Sequence, residues 1–193
     1  MPDLATLSAT TAYALLFGLV FAESGILLGF FLPGDTVLFA AGLLSGRGGA
    51  LSLAVLLPIV LVAAITGDAL GFTTGRRAGP ALFGRRGRVL NGETLERARA
   101  FYDRFGPFAV IAARWVPWVR TLTPLMAGAA GMAYVRFQAA NVVGAVTWGG
   151  TLLVLGHAAA RAPGLRSTAS YVAVAVVVAS CGLAVRQARR SRR

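Results

Sequence analysis

Four ionisable side chains lie inside apolar segments of the chain: the acids Glu23 and Asp35 and the bases Arg114 and Arg120. Charged groups within a membrane are by default functional, and acids and arginines placed together can neutralise one another. An arginine also presents a fork of donors that matches a phosphate bidentately, and it keeps its charge in a poor dielectric. Arg114 and Arg120 are therefore suited to hold a phosphate headgroup.

A purely structural role is the alternative for these residues, as ion pairs that only fix two broken elements against each other. Two arginines that flank Pro117 in an apolar segment are costly for such a device, which favours the functional interpretation. Asp68 stands near the end of another apolar segment. A packing or hydrogen-bonding role at the membrane surface is favoured there over proton transfer.

The composition places these charges in a membrane. The 193 residues are 56% hydrophobic and 13% charged, with a mean hydropathy of +0.70 and a formal net charge of +12. A disordered chain is poor in apolar residues, and a soluble domain of this length cannot hide so many in one core. We expect an all-α integral membrane protein that forms a single transmembrane domain over residues 1–193.

Long apolar segments predict about four transmembrane helices. Each is long enough to cross a hydrocarbon core of ~30 Å at 1.5 Å per residue. The predicted crossings are residues 11–31, 51–75, 137–160 and 168–185.

Two broken apolar stretches predict re-entrant helical hairpins. The first follows Pro33-Gly34-Asp35 and covers residues 36–44, too few to cross. The second, residues 107–132, carries Arg114 and Arg120 together with Pro117 and Pro124. Because an arginine near the bilayer centre costs ~2.5 to 3.5 kcal/mol, this stretch should be buried in protein or line a wet cavity.

Arginine distribution predicts the orientation. Eight arginines lie in the loop 76–104 and five in the tail 186–193, so both should be cytoplasmic, with a short amphipathic helix from Asn91 on the membrane surface. The N-terminal segment lacks the positive region of a cleavable signal, so its apolar part stays and its N-terminus is expected in the cytoplasm. Topology accounts for the positive surplus, which argues against nucleic-acid binding.

The two broken stretches resemble each other. Pro33-Gly34-Asp35 leads into TVLFAAG, and Val119-Arg120 leads into TLTPLMAG. Entering from opposite faces, the first from outside and the second from the cytoplasm, they would form an inverted repeat. Such repeats meet near the bilayer midplane and surround a substrate in secondary transporters.

One motif is specific: F-x(5)-R-x-x-P-x-x-R, from Phe108 to Arg120, with P-x-x-A-G downstream from Pro124. Other residues accompany it in a fixed order: Glu23 with Phe31-Leu32-Pro33-Gly34-Asp35 and Ala41-Gly42; Gly67-Asp68 with Gly71, Gly75-Arg76 and Gly79; Phe108 with Arg114-Trp115-Val116-Pro117-Trp118-Val119-Arg120, Pro124, Ala127-Gly128 and Met132; and Phe137, Asn141, Gly144-Ala145 and Trp148. On these residues the chain resembles, between residues 15 and 160, the DedA family of membrane proteins, within the VTT, or SNARE-associated Golgi protein, superfamily.

The resemblance implies transport of a phosphate-bearing lipid between the leaflets of a bacterial cytoplasmic membrane. Family members are similar to undecaprenyl phosphate flippases or phospholipid translocases, some of them dependent on the proton motive force. The functional acids and arginines of the family correspond to Glu23, Asp35, Arg114 and Arg120. We expect the acids to pair with the arginines in the empty site, lipid phosphate to compete for the arginines, and protonation of an acid to set the direction.

Two departures from the family pattern are visible. The first motif, often P-x-P-G-E, reads FLPGD, and Gly156-His157 stands where Gly-Tyr is frequent, so the resemblance gives His157 no role. Asp68, Pro33, Gly34, Pro117 and Pro124 are expected to support the site. Trp115, Trp118 and Trp148 are expected to anchor at membrane interfaces.

Other functions remain open at this point. A proton-coupled exporter of small solutes or ions could use the same four residues, and a passive assembly factor would need none of them. A lipid phosphatase is disfavoured because His157 lies beyond the cluster and Cys181 is isolated, which leaves no nucleophile with a base. No enzyme activity, cofactor or metal is expected. The expected partners are membrane lipids and protons, and a homo-oligomer is left open.

Overall fold

The computed structural model describes residues 4–25, 34–48, 51–82 and 92–162, and these residues form helices and turns without a strand. The expectation of an all-α protein is confirmed for them. The helices are α1 (Leu4–Gly25), α2 (Gly34–Gly46), α3 (Leu53–Leu82), α4 (Gly92–Ala113), α5 (Pro117–Ala129), α6 (Tyr134–Ala145) and α7 (Thr151–Arg161), with a π-helical turn, Val146–Gly150, between the last two.

Within the described residues, two helical stretches are long and apolar enough to cross a membrane, Leu53–Gly79 and Tyr134–Arg161. The first covers the predicted crossing 51–75 except for its first two residues, and the second covers all of the predicted crossing 137–160. The predicted crossing 11–31 is described as far as Gly25, as part of α1. The predicted C-terminal helix 168–185 and the tail 186–193 lie outside the described residues.

Helices α2 and α5 contain 13 residues each. At 1.5 Å per residue they extend for about 20 Å, less than the ~30 Å of a hydrocarbon core. They coincide with the two broken stretches of the sequence, and their length is that of half-membrane helices. The re-entrant path, and the number of crossings, stay predictions.

The chain clusters into two compact units. The first draws on Met1–Val20, Phe31–Leu61 and Gly149–Arg193, and the second on Phe21–Phe30 and Val62–Trp148. Helices α1 and α3 therefore each contribute their first part to the first unit and their last part to the second.

In the first unit α2 packs directly against α7. A Cβ added at Gly42 would overlap the backbone of Leu153, and one added at Gly156 would overlap the carbonyl of Phe39. Small residues are favoured at such helix contacts because they let two backbones approach. Leu43 and Ala160 extend the contact as a small apolar cluster.

The second unit repeats this contact between α5 and α3. A Cβ at Gly128 would overlap the carbonyl of Phe72, and one at Gly75 would overlap the carbonyl of Leu125. The spacing is the same in both units. In each helix the glycine stands three residues after the residue whose backbone the opposite glycine contacts: Phe39 and Gly42 in α2, Leu153 and Gly156 in α7, Leu125 and Gly128 in α5, and Phe72 and Gly75 in α3. The likeness seen between TVLFAAG and TLTPLMAG thus extends to how the two segments pack.

A cluster of aromatic and aliphatic side chains forms the core of the second unit. Phe72 stacks on Phe137 with ring centroids 4.5 Å apart, and Val110, Ala127 and Ala140 complete the buried cluster. This core joins α3, α4, α5 and α6, so it holds in place the elements that carry the charged residues.

Helix α4 begins at Gly92, where the amphipathic helix is predicted. Exposed Arg97 pairs with Glu93 one turn earlier at 2.6 Å. The helix is interrupted at Gly106, whose φ of 54° belongs to the left-handed region that favours glycine. Before this break Tyr102 packs inward and donates a hydrogen bond to the carbonyl of Thr123 at 3.3 Å. Burial raises the pKa of Tyr102 to about 12.

Candidate functional site

Pro117 creates the break that places both arginines. It is the first residue of α5, a position where its missing N–H is not needed, and it holds the preceding Val116 in extended backbone at φ −110° and ψ 108°. Arg114 therefore lies in the turn after α4, and Arg120 lies in the first turn of α5, where its N–H donates to the Val116 carbonyl at 3.0 Å.

Arg114 is held by two helices. One of its terminal nitrogens, Nη1, donates to Oδ2 of Asp68 on α3 at 2.5 Å and to Oδ1 of Asn141 on α6 at 2.6 Å. Asn141 in turn donates from Nδ2 to the carbonyl of Ile65 at 3.1 Å, one turn of α3 before Asp68. Arg114 and Asp68 are each only 6% exposed and Asn141 is fully buried. The result is a closed network in which a buried charge is both paired and hydrogen-bonded, as buried charges require.

Arg120 forms an ion pair with Glu23 near the end of α1. Glycines set this contact: a Cβ at Gly67 would lie 2.8 Å from both the Phe21 carbonyl and the Ser24 side chain. The end of α1 can therefore lie directly on α3, which brings the buried Glu23 to Arg120.

Both guanidinium groups face one indole ring. Cζ of Arg120 lies 4.6 Å from the ring centroid of Trp148, and Cζ of Arg114 lies 5.6 Å from it. Trp148 belongs to the π-helical turn after α6 and is buried. A cation within about 6 Å of an indole face is attracted by the ring quadrupole, so the ring links the two ion pairs.

Small and rigid residues make room for this arrangement. A Cβ at Gly144 would lie 3.1 Å from Cδ of Arg114, and one at Gly71 would lie 3.2 Å from Cβ of the buried Pro124. The glycines of α3 and α6 thus serve close packing around the charges.

The VTT domain family matches residues 32–158 of the chain. The chain belongs to this family of membrane proteins, the DedA family.

Named relatives agree with this membership. Protein DedA of Escherichia coli is 35% identical over 170 residues, 87% of this chain and 78% of that protein. An uncharacterized membrane protein of Mycobacterium leprae is 34% identical over 163 residues, which are 84% of this chain and 72% of that protein. The inner membrane protein YghB of Escherichia coli is 32% identical over 155 residues, which are 80% of this chain and 70% of that protein. Two of these names describe a membrane protein, and the name of YghB places that protein in the inner membrane. No solved structure matches the chain.

The second unit of this VTT-domain protein brings together Glu23, Arg114, Arg120 and Asp68, four of the residues singled out from the sequence. Arg114 takes Asp68 as its partner, although Glu23 and Asp35 were the acids expected to pair with the arginines. Asp68 is thus a buried hydrogen-bonding partner within α3.

The other predicted residues are placed as follows. Asp35 lies half-buried in the first turn of α2, in the first unit, and the buried Gly34 begins that helix. Pro124 lies within α5. Pro33 is outside the described residues.

Asn141 and Trp148 join the site, although from the sequence Asn141 was named only as part of the family resemblance and Trp148 was expected at a membrane interface. A signal for both was available. Asn141 is an amide within an apolar stretch, and Trp148 lies well inside the helical stretch Tyr134–Arg161 rather than at its end. Aromatic anchors are found at the interfaces, so a tryptophan deep in a span calls for another explanation.

A separate polar pair lies in the first unit. The buried hydroxyl of Ser45 donates to the Gly42 carbonyl at 2.6 Å, and its Oγ lies 2.8 Å from Nδ1 of His157. Since the hydroxyl proton points to the carbonyl, Nδ1–H of His157 is the donor to Oγ. Among the described parts of the chain, no three His, Cys, Asp or Glu side chains group as metal ligands would.

Proposed function

We propose that this protein moves a phosphate-bearing lipid between the leaflets of the bacterial inner membrane, with undecaprenyl phosphate as the first candidate substrate. One observation carries the proposal: Arg114 and Arg120, each paired with a carboxylate, face the same buried indole. Two buried guanidinium groups that close together form a receptor for an anion with several oxygens.

The carboxylates of Glu23 and Asp68 bind the two arginines when no substrate phosphate is present. In the empty site Glu23 and Asp68 neutralise the arginines, which keeps two positive charges in a poor dielectric. A lipid phosphate then displaces a carboxylate from its arginine. Protonation of Glu23 weakens its hold on Arg120 and so couples headgroup binding to the proton gradient, and Asp35 is proposed as a second proton-coupling acid.

Transport rather than hydrolysis is proposed, and the Ser45–His157 pair supports this. A nucleophilic serine donates its proton to the imidazole that activates it. Here the hydroxyl donates to the Gly42 carbonyl instead, and the imidazole is the donor to Oγ. This is the reverse of the polarity that nucleophilic catalysis needs.

The full chain reconstituted in liposomes tests the proposal. Undecaprenyl phosphate and phosphatidylethanolamine are assayed in each leaflet at two pH values. We expect transfer of undecaprenyl phosphate with a rate that depends on pH. Arg120→Ala and Glu23→Gln should each lower that rate at least about tenfold, because each removes a charge-assisted contact. The matched control is Arg136→Ala, which removes an exposed arginine from the first turn of α6 and should leave the rate unchanged.

Two other results would each identify a different function. Transfer of phosphatidylethanolamine alone identifies a phospholipid translocase. Loss of a pH gradient without movement of either lipid identifies a proton-coupled transporter of small solutes. If Arg120→Ala and Glu23→Gln both leave lipid transfer and its pH dependence intact, the proposed site is wrong.

Orientation is part of the proposal, with the basic loop 76–104 and the C-terminal tail in the cytoplasm. In a Cys181→Ser background, a single cysteine introduced at exposed Arg99 should react with a membrane-impermeant maleimide only after the cytoplasmic face is opened. Labelling of this cysteine in intact cells would show that the loop lies outside the cell, the reverse of the proposed orientation.

A further inference from the structure

We propose that Trp148 is a positioning residue that presents Arg120 to the phosphate, while Asp68 and Asn141 keep Arg114 fixed. The inference rests on the proposed lipid-phosphate function and deepens it: one arginine is a fixed charge and the other is the arginine that exchanges its partner.

The hydrogen bonds around Arg114 make it the fixed member. Its guanidinium is braced from α3 by Asp68 and from α6 by Asn141, and Asn141 is itself bonded to the backbone of α3. Releasing Arg114 would open a buried network with several members at once, and such networks act as units. A phosphate that enters the site therefore meets a positive charge that does not move.

Arg120 is held differently. Its guanidinium sits over the indole of Trp148 at 4.6 Å, against 5.6 Å for Arg114, and it pairs with Glu23 at the end of a helix rather than in the middle of one. The side chain of Arg120 is also more exposed than that of Arg114, 11% against 7%. Of the two arginines, Arg120 is thus the more accessible to an incoming headgroup, whereas its partner Glu23 is less exposed than Asp68, 5% against 8%.

The indole can hold Arg120 without using its hydrogen-bond donors. Attraction to an aromatic face acts through the π system, whereas the N–H donors of a guanidinium lie in its own plane. When Glu23 dissociates, the ring keeps the guanidinium in place and the donor that Glu23 had occupied becomes available to a phosphate oxygen. A leucine is apolar but smaller, and it lacks this attraction.

Replacement of the ring tests the inference through affinity. Transfer of undecaprenyl phosphate is measured in proteoliposomes as a function of its mole fraction, for the wild type, Trp148→Phe and Trp148→Leu. We expect Trp148→Leu to raise the apparent KM about 5- to 30-fold with little change in the maximal rate, and Trp148→Phe to restore part of the affinity. Phe137→Leu is the control, since it removes a ring that stacks on Phe72 in the same core; it should lower stability and leave the KM unchanged.

Fluorinated tryptophan at position 148 keeps the inference testable if Trp148→Leu does not fold. Fluorine withdraws electron density from the ring face and hardly alters its shape. The apparent KM should rise stepwise from tryptophan to the mono- and difluorinated forms.

The outcomes separate the inference from the function on which it rests. If the wild type moves no phosphate lipid, the proposed function fails and the inference with it. If the wild type moves the lipid and the KM is indifferent to ring fluorination, or Trp148→Leu only destabilises as Phe137→Leu does, the positioning role is wrong and the proposed function stands.

Discussion

In each unit a 13-residue helix packs against a second helix, with a glycine of each helix at the backbone of the other: Gly42 of α2 with Gly156 of α7 in the first unit, and Gly128 of α5 with Gly75 of α3 in the second. Around this shared contact the polar side chains differ. The first unit has a hydrogen bond between Ser45 and His157. The second has two buried ion pairs that face one indole.

The difference separates architecture from chemistry. A packing contact that occurs twice with the same spacing is explained by the need to bring backbones together, whatever the function. The two buried ion pairs, Arg114–Asp68 and Arg120–Glu23, accompany only the second of these contacts, so they are not needed to form it. Buried ion pairs are weak evidence for stability, and apolar residues of similar volume often replace them without loss. Their presence beside one contact therefore supports the proposed role in binding.

The largest expected effect comes from opening the charge network. Asp68→Ala leaves the Arg114 guanidinium buried without its carboxylate and should lower the free energy of unfolding by about 3–5 kcal/mol. Chemical denaturation of the detergent-solubilised protein measures this. Asp103→Ala, at an exposed position of α4, is the control. An equal loss in both variants would mean that Asp68 is not essential to the buried pair.

Methyl groups at the two helix contacts should have a smaller effect, equal in the two units. Gly42→Ala and Gly128→Ala each force a Cβ onto a neighbouring backbone and should cost about 1–3 kcal/mol of unfolding free energy. Gly18→Ala is the control, because nothing lies within 4 Å of a Cβ there. A large loss at one contact and none at the other would disprove the structural equivalence of the two units.

Loss of the Ser45–His157 hydrogen bond should have a smaller effect on stability. Ser45→Ala removes the hydrogen bonds to Gly42 and His157 and should lower the unfolding free energy by about 1 kcal/mol. Lipid transfer by the folded protein should be unchanged, unlike that of Glu23→Gln. A tenfold loss of transfer in Ser45→Ala would bring the Ser45–His157 pair into the chemistry.

Tyr102 offers the smallest effect, visible only at high pH. Its pKa is raised by burial from 10.0 to about 12, so the folded state holds the phenolic proton more tightly than the unfolded state. The corresponding stability is present below pH 10 and is lost as the pH rises through 12. Tyr102→Phe should change stability little at neutral pH and should flatten the decline above pH 10. An unchanged decline would assign it to other groups.

Much of the architecture could be predicted from the sequence. Apolar length identified the stretches 51–75 and 137–160, and the Gly92 start of the amphipathic helix follows from its pattern of charged and apolar residues. Pro117 was enough to predict a break between the two arginines. Charge pairing could not be predicted in the same way, because Glu23, Asp35 and Asp68 were all available and sequence separation does not rank them.

The sequence by itself determined the kind of protein and the candidate charges, because hydropathy, helix length and the penalty for intramembrane arginines are local properties of a segment. Only the tertiary structure decided that Arg114 takes Asp68 and Asn141, that Arg120 takes Glu23, and that both face Trp148. These choices depend on how closely α1, α3 and α6 approach one another. Gly67 permits the approach of α1 to α3, and Gly144 lets α6 lie close to Arg114. The register of these contacts is a property of the packed helices together.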